Sequence, residues 1–218
     1  MINTTAKAAF RTYCLSVVLL LAAAGTVQAD EVSPPCHHEG ESADQQSRLA
    51  DPLPGLSLYQ LDAVWTDQAG VEHSLESFRG APTVMVMFFA SCEHACPILI
   101  ADVKGLEGQL SPAALEEAQF VFVTIDPHRD TVDSLQRVAQ VHALDGEHWH
   151  FLRGSESDTR LLAAALGVDY RALPSGQYTH TNLITLLDRD GVAVQRTEGL
   201  GQDLSEMVAA LERLIAPD

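Results

Sequence analysis

The chain has 218 residues, 46% of them hydrophobic and 20% charged, with 14 Gly and 10 Pro. That balance suits one folded globular domain and excludes a collagen-like or wholly disordered chain. The formal net charge is −17 with no basic block, so a surface that condenses on phosphate backbones is excluded and no nucleic-acid partner is expected. Four cysteines are too few for a disulfide-rich scaffold, and their spacing and compartment have to decide their role.

Lys7 and Arg11 precede an apolar run from Cys14 to Ala24, and Val27-Gln28-Ala29 places small residues two positions apart before Asp30. Residues 1–29 therefore read as a secretory signal cleaved after Ala29. The uncharged stretch Thr12–Ala29 has 18 residues and ends in small and polar ones, marginal for a spanning helix; left uncleaved, it would act as a membrane anchor. Bacterial export to the periplasm is the expected location. Cleavage removes Lys7, Arg11 and no acidic residue, which takes the net charge from −17 to −19 and leaves three cysteines, Cys36, Cys92 and Cys96. An odd number cannot all pair within one chain in an oxidising compartment.

Residues 30–52, rich in Pro, Ser, Gln, Glu and His, have hardly any apolar periodicity and read as a flexible acidic tether. Cys36-His37-His38 within it is either a weak metal-capture element or incidental. The folded domain is expected over 53–218. Leu58, Leu61 and Val64, then Val71–Leu75, suggest two short strands around the Asp67–Gly70 turn. Val84–Ala90 is a continuous apolar run of strand length, buried on both faces, and Ile98–Leu110 follows as a helix. A second buried strand over Gln119–Ile125 leads to a helix over Thr131–Ala143, a short strand at His150–Leu152 and a helix around Thr159–Leu166. Leu183–Leu187 and Val192–Thr197 flank the hairpin turn Asp188–Gly191, and Leu204–Ile215 closes the chain as a helix. A βαβ half followed by a ββα half gives the expected class: α/β, a thioredoxin-like fold with an added N-terminal β-hairpin.

Ser91-Cys92-Glu93-His94-Ala95-Cys96-Pro97 lies between the first buried strand and the first helix, where α/β sheets place ligands. Pro97 suits the first helical position, which makes Cys96 the expected N-cap and sets both sulfurs beside the helix N-terminus, a setting that favours thiolates. Two soft sulfurs on a short loop suit a thiophilic ion such as Cu(I), and a third ligand is needed. Among nine histidines, His180 in Tyr178-Thr179-His180-Thr181-Asn182 precedes a strand whose leading loop faces the cysteine loop in a thioredoxin-like fold, and so can complete the set. His94 is a weaker candidate, because one intervening residue strains joint coordination with Cys96. His148 and His150, flanking Trp149 in a strand, fit a solvent face better than a metal site.

With Cys92-x3-Cys96-Pro97, Thr124-Ile125-Asp126-Pro127-x-Arg129-Asp130-Thr131 and His180 in this order, the chain resembles the Sco/SenC family of copper-binding thioredoxin-like proteins over roughly residues 55–215. The resemblance implies a copper ion, Cu(I) or Cu(II), held by Cys92, Cys96 and His180. It implies delivery of copper to the dinuclear copper A centre of cytochrome c oxidase, in subunit II, or to another copper enzyme, or reduction of that centre's cysteines. A periplasmic thiol-disulfide reductant is then a second partner. Two positions depart from the family pattern: Val132, where Pro commonly follows the Thr, and Thr179, where Asp commonly precedes the His. The latter removes a carboxylate that could orient the imidazole. In the segment between, Asp130 is expected to cap the following helix and Arg129 to pair with a nearby carboxylate.

The alternative function is a thiol-disulfide oxidoreductase cycling Cys92 and Cys96 as a redox pair. Such enzymes usually set a cis-proline against the dithiol, and the matching loop here offers Tyr178-Thr179-His180 instead. A peroxiredoxin ranks last, since Phe89 stands where a Thr or Ser normally precedes the peroxidatic cysteine.

Overall fold

The computed structural model describes residues 52–144 and 146–216. The expected signal segment and nearly all of the tether, including Cys36, His37 and His38, lie outside the described residues, and among the latter no helix is long and apolar enough to cross a membrane.

Five strands form the central sheet in the order β5-β4-β3-β8-β9. The innermost, β3 (Thr83–Phe88), is buried at every position, as its unbroken apolar run predicts. It pairs in parallel with β4 (Gln119–Thr124), which pairs in parallel with β5 (Trp149–Leu152). On its other side β3 runs antiparallel to β8 (Leu183–Leu187), which continues through a hairpin into β9 (Ala193–Glu198). Phe88, Phe122 and Phe151, on β3, β4 and β5, meet with ring centroids 5.2–5.8 Å apart and form the aromatic part of the core. The mixed sheet with its helices is the thioredoxin-like arrangement expected.

The helices are α1 (Ala95–Glu107), α2 (Pro112–Glu117), α3 (Val132–Val141), α4 (Glu156–Leu166) and α5 (Ser205–Ile215). The short α2 was not anticipated from sequence. Ser111 caps it, and its backbone N–H and hydroxyl both donate to Glu212 of α5, which joins the two helices. Helix α1 begins three residues earlier than the apolar pattern suggests: His94 is the N-cap and Cys96 the second helical residue, so Cys96 is not the cap. Pro97 falls at the third position, where the N–H has no intrahelical partner and its loss costs nothing.

Ahead of the sheet, β1 (Trp65–Thr66) pairs antiparallel with β2 (Glu72–His73), while Leu58–Gln60 and Leu75–Phe78 are 3-10 turns rather than strand. The turn repeats a device used between β8 and β9. In Asp67–Gly70 and Asp188–Gly191 the aspartate Oδ1 accepts from the N–H groups two and four residues on, and the glycine sits at φ +80°. Gln68, inside the first turn, donates from Nε2 to Trp149 O (2.7 Å) and accepts from Phe151 N (2.8 Å), so one side-chain amide covers the free edge of β5. The face bearing His148 and His150 is not open solvent: both rings are half-buried, His148 held by Glu107 and His150 by Gln119.

A second hairpin not anticipated from sequence, β6 (Tyr170–Ala172) with β7 (Tyr178–His180), follows α4. Its last residue is His180.

Candidate metal centre

Three segments meet beyond the C-terminal end of β3. The first is the loop from Phe89 to His94 and the first turn of α1, carrying Cys92 half-exposed and Cys96 buried at 3% exposure. The backbone N–H of Cys96 donates to Cys92 Sγ at 3.2 Å, so a helix N-terminal amide points at the Cys92 sulfur. Both cysteines are free. Burial, with Cys92 alongside, pushes the Cys96 thiol well above the ordinary range, which reverses the expectation that both sulfurs rest as thiolates. In the absence of a metal Cys96 keeps its proton, because desolvation outweighs the helix terminus.

The second segment is β7. The strand alternates, with Tyr178 and His180 half-buried and Thr179 exposed. His180 Nε2 lies 4.0 Å from Cys96 Sγ. Its Nδ1 faces Thr181 O at 3.1 Å, an N–H···O=C contact that fixes the tautomer and leaves the Nε2 lone pair toward the sulfur. Burial holds the His180 imidazole below its usual range, so it is uncharged at neutral pH and able to ligate. An ion bonded to sulfur at ~2.3 Å and to imidazole nitrogen at ~2.0 Å, with an angle of about 135° between them, spans a separation of about 4 Å. The observed separation is therefore one a single ion can bridge. Phe89, buried, packs edge-on against both Tyr178 (5.4 Å) and His180 (5.9 Å), and so sets the ring that faces Cys96.

The third segment joins β4 to α3. Asp126 and Asp130 are each 2% exposed. Asp126 is paired with Arg129, as expected for that arginine, and accepts from the Tyr178 hydroxyl at 3.2 Å, while the Arg129 guanidinium lies 5.5 Å over the Tyr178 ring. The hairpin bearing His180 is thus tied to the β4 end. Asp130 does not cap α3; Thr131 does, its hydroxyl accepting from Ser134 N. The Asp130 carboxylate instead accepts from Ala90 N (2.9 Å) and the Thr124 hydroxyl, clamping the backbone two residues before Cys92. Burial raises its pKa, offset in part by those two hydrogen bonds. With Val132 rather than Pro after it, Thr131 still caps the start of α3.

Cys96 thus meets His180 directly, and Cys92 is joined to Cys96 through its backbone N–H, whereas His94 is exposed at the N-cap of α1. Phe89, the Asp130 clamp and the Asp126–Tyr178 tie were not assigned these roles from sequence. The tie had a local signature in Pro174-Ser175-Gly176, a turn between Tyr170-x-Ala172 and Tyr178-x-His180. The two buried acids had none.

A family model described as SCO1/SenC matches residues 59–216. A putative copper-binding protein of Stutzerimonas stutzeri is 28% identical over 136 residues, which cover 61% of this chain and 64% of that relative, a little under two thirds of its length. Among solved structures, Bradyrhizobium japonicum ScoI with copper bound is 26% identical, over 70% of this chain and 96% of that one, with a TM-score of 0.57. BsSco, described as a member of the Sco family of cytochrome c oxidase assembly proteins, is 23% identical over 72% and 93% of the two chains, with a TM-score of 0.62; that likeness is one of fold.

Proposed function

This chain belongs to the SCO1/SenC family, and on that premise we propose that it is a periplasmic copper chaperone, holding one copper ion as cargo through Cys92, Cys96 and His180. The recipient is the copper A centre in subunit II of cytochrome c oxidase, or another exported copper enzyme. The observation that carries this reading is the 4.0 Å approach of His180 Nε2 to Cys96 Sγ, with Cys92 Sγ hydrogen-bonded to Cys96 N in the same turn. Support also comes from relatives described as copper-binding or with copper bound.

Two sulfurs and one neutral imidazole are a soft donor set suited to Cu(I). Each thiol gives up its proton as it ligates; for Cys96 that proton is held tightly, so copper binding releases it and affinity rises with pH. The half-exposed Cys92 is where a client's ligand can enter by exchange, while Cys96 and His180 stay seated on α1 and β7. Transfer then needs no large movement of the sheet.

A second reading rests on the same pair. Half-exposed Cys92 beside buried Cys96 is the arrangement of an attacking and a resolving thiol. As a thiol reductase the dithiol passes two electrons to a client disulfide, becoming a Cys92–Cys96 disulfide as the client gains two thiols. Oxidation and copper loading then exclude one another.

Cu(I) titration of the reduced chain against a chromophoric Cu(I) chelator tests the first reading. One equivalent binds tightly, and Cys92→Ser, Cys96→Ser and His180→Ala each weaken it by more than the ~10- to 100-fold that an indirect, orienting residue costs. Unchanged stoichiometry and affinity in both Cys92→Ser and His180→Ala would remove this assignment.

A further inference from the structure

Asp67, His73 and His150 lie apart from the cysteine loop. Asp67 is in the turn between β1 and β2, His73 ends β2, and His150 is on β5. His150 pairs with Val121, which pairs with Met85, three residues short of the end of β3 and two strands across from it. The two regions are therefore separate places on the sheet.

One ligand atom from each of the three residues lies within 4.8 Å of the other two. Asp67 is buried at 7% exposure, and its Oδ1 accepts from Ala69 N and Val71 N, both at 2.8 Å, which turns Oδ2 toward the His73 Nε2 at 2.8 Å. Those backbone bonds fix the carboxylate as orienting partners of metal ligands do. Phe78 lies against both imidazoles, 6.0 Å from the His73 ring and 4.9 Å from that of His150, and Gln119 Oε1 holds His150 Nε2 at 2.9 Å. Burial lowers the His150 pKa to about 4, so that ring is uncharged at neutral pH with a lone pair to give. Asp67 and His73 alone would be an ordinary ion pair. A third, neutral nitrogen donor beside them changes what the group can hold.

We propose that Asp67, His73 and His150 form a second metal site, for a borderline divalent cation of the Zn(II) and Cu(II) class, independent of the cysteine centre. Two imidazoles and a carboxylate suit such ions and offer little to Cu(I). Three protein ligands leave a fourth position for water. Ligands on a tetrahedral ion at 2.0–2.1 Å sit ~3.4 Å apart, so the Asp67–His73 pair opens from 2.8 Å while His150, within 4.8 Å of both, supplies the third donor, a rearrangement within reach of side-chain rotation. Binding replaces the hydrogen bond between His73 Nε2 and Asp67 Oδ2. It also ties the β1–β2 turn to the edge strand β5, which already meet through Gln68.

The test uses the full chain with Cys92→Ser and Cys96→Ser, so that the thiolate centre is absent. Zn(II) alone is titrated by competition with a chromophoric chelator, and Cu(II) alone by paramagnetic resonance for nitrogen ligation. The comparison set in this background is Asp67→Asn, His73→Ala, His150→Ala and, as control, His128→Ala. Asp67→Asn retains an Oδ1 acceptor for the Ala69 and Val71 amides and preserves the turn, so it decides the matter if a histidine variant misfolds. One equivalent of Zn(II) is lost, or its affinity falls at least 100-fold, in the three site variants and not in His128→Ala. The rise in Tm that Zn(II) gives the parent disappears with it. Equal stoichiometry and affinity in parent and Asp67→Asn would overturn the proposal.

Discussion

Replacing Asp130 by alanine removes the buried side chain that holds the Ala90 N–H, two residues ahead of Cys92. The carboxylate serves two donors, Ala90 N and the Thr124 hydroxyl, and Asp130 and Thr124 are both buried. Leaving a buried donor unpaired costs about 1–3 kcal/mol, so the two together cost roughly 2–6 kcal/mol. At ~2–4 °C per kcal/mol for a domain of this size, Tm falls by roughly 4–24 °C. Asp130→Asn keeps an oxygen that can accept both bonds and carries no charge, and it stays within about 2 kcal/mol of the parent. The two variants also separate by pH. Burial raises the Asp130 pKa, so the folded state holds that proton more tightly than the unfolded chain. The associated stability is complete below the ordinary carboxylate pKa and is lost as pH rises through the folded value. Asparagine has no such proton, so from pH 4 to pH 7 the balance between parent and Asp130→Asn shifts toward the variant. Thermal melts by circular dichroism at the two pH values measure this, and Cu(I) competition on Asp130→Ala adds a ~10- to 100-fold affinity loss as the Cys92 loop loosens. An alanine variant melting within 2 °C of the parent, or an asparagine difference flat with pH, refutes the clamp.

The parts of this fold that read clearly from sequence are those whose surroundings are uniform. Strands β3, β4 and β8 are apolar almost throughout because both faces are covered, and an uninterrupted run such as Val84–Phe88 admits few other readings. Cys92, Cys96 and His180 were legible as candidates because their chemistry is rare and their places follow from strand order. What failed was local punctuation with more than one solution. Pro97 is as compatible with the third helical position as with the first, since neither needs an N–H. Asp130 and Thr131 are both good caps side by side; Thr131 took the role because Ala90, forty residues away, required the aspartate. The β6–β7 hairpin has only three residues on each side, none of them fully buried, too short a stretch for its alternation to stand out despite the Pro174-Ser175-Gly176 turn. Asp67, His73 and His150 have no mutual spacing to read, because the β1–β2 pairing, the Thr66–Arg153 backbone bridge and the Gln68 side-chain amide bring them together.

Three further perturbations bear on these assignments. A methyl added at Gly191 meets the Tyr59 ring at 2.6 Å at φ +80°, whereas one at Gly70, also at φ +80°, meets nothing within 4 Å. In urea denaturation Gly70→Ala therefore loses only the ~1–2 kcal/mol of left-handed strain, and Gly191→Ala a further ~1–3 kcal/mol of overpacking; equal losses would contradict the Tyr59 contact. If residues 30–52 are the flexible tether expected from sequence and Cys36-His37-His38 passes copper to Cys92, substituting all three slows stopped-flow Cu(I) loading without changing the final affinity, because a flexible chain of about 20 residues would reach ~25 Å and raise local ligand concentration toward millimolar; equal rates leave those residues incidental. The last concerns the edge of β5, where Gln68 both donates to Trp149 O and accepts from Phe151 N. Gln68→Ala forfeits both bonds, costs about 1–3 kcal/mol and opens an edge to other chains, so the variant also aggregates faster on heating. Gln68→Glu discriminates: its carboxylate can accept from Phe151 N but is set against the Trp149 carbonyl, and at pH 7 it is at least as destabilised as alanine. The introduced carboxyl can donate to that carbonyl only when protonated, so its folded pKa is raised, and stability returns as pH falls through that value. A Gln68→Glu variant as stable as the parent at pH 7 would show that water, rather than this side chain, satisfies the edge.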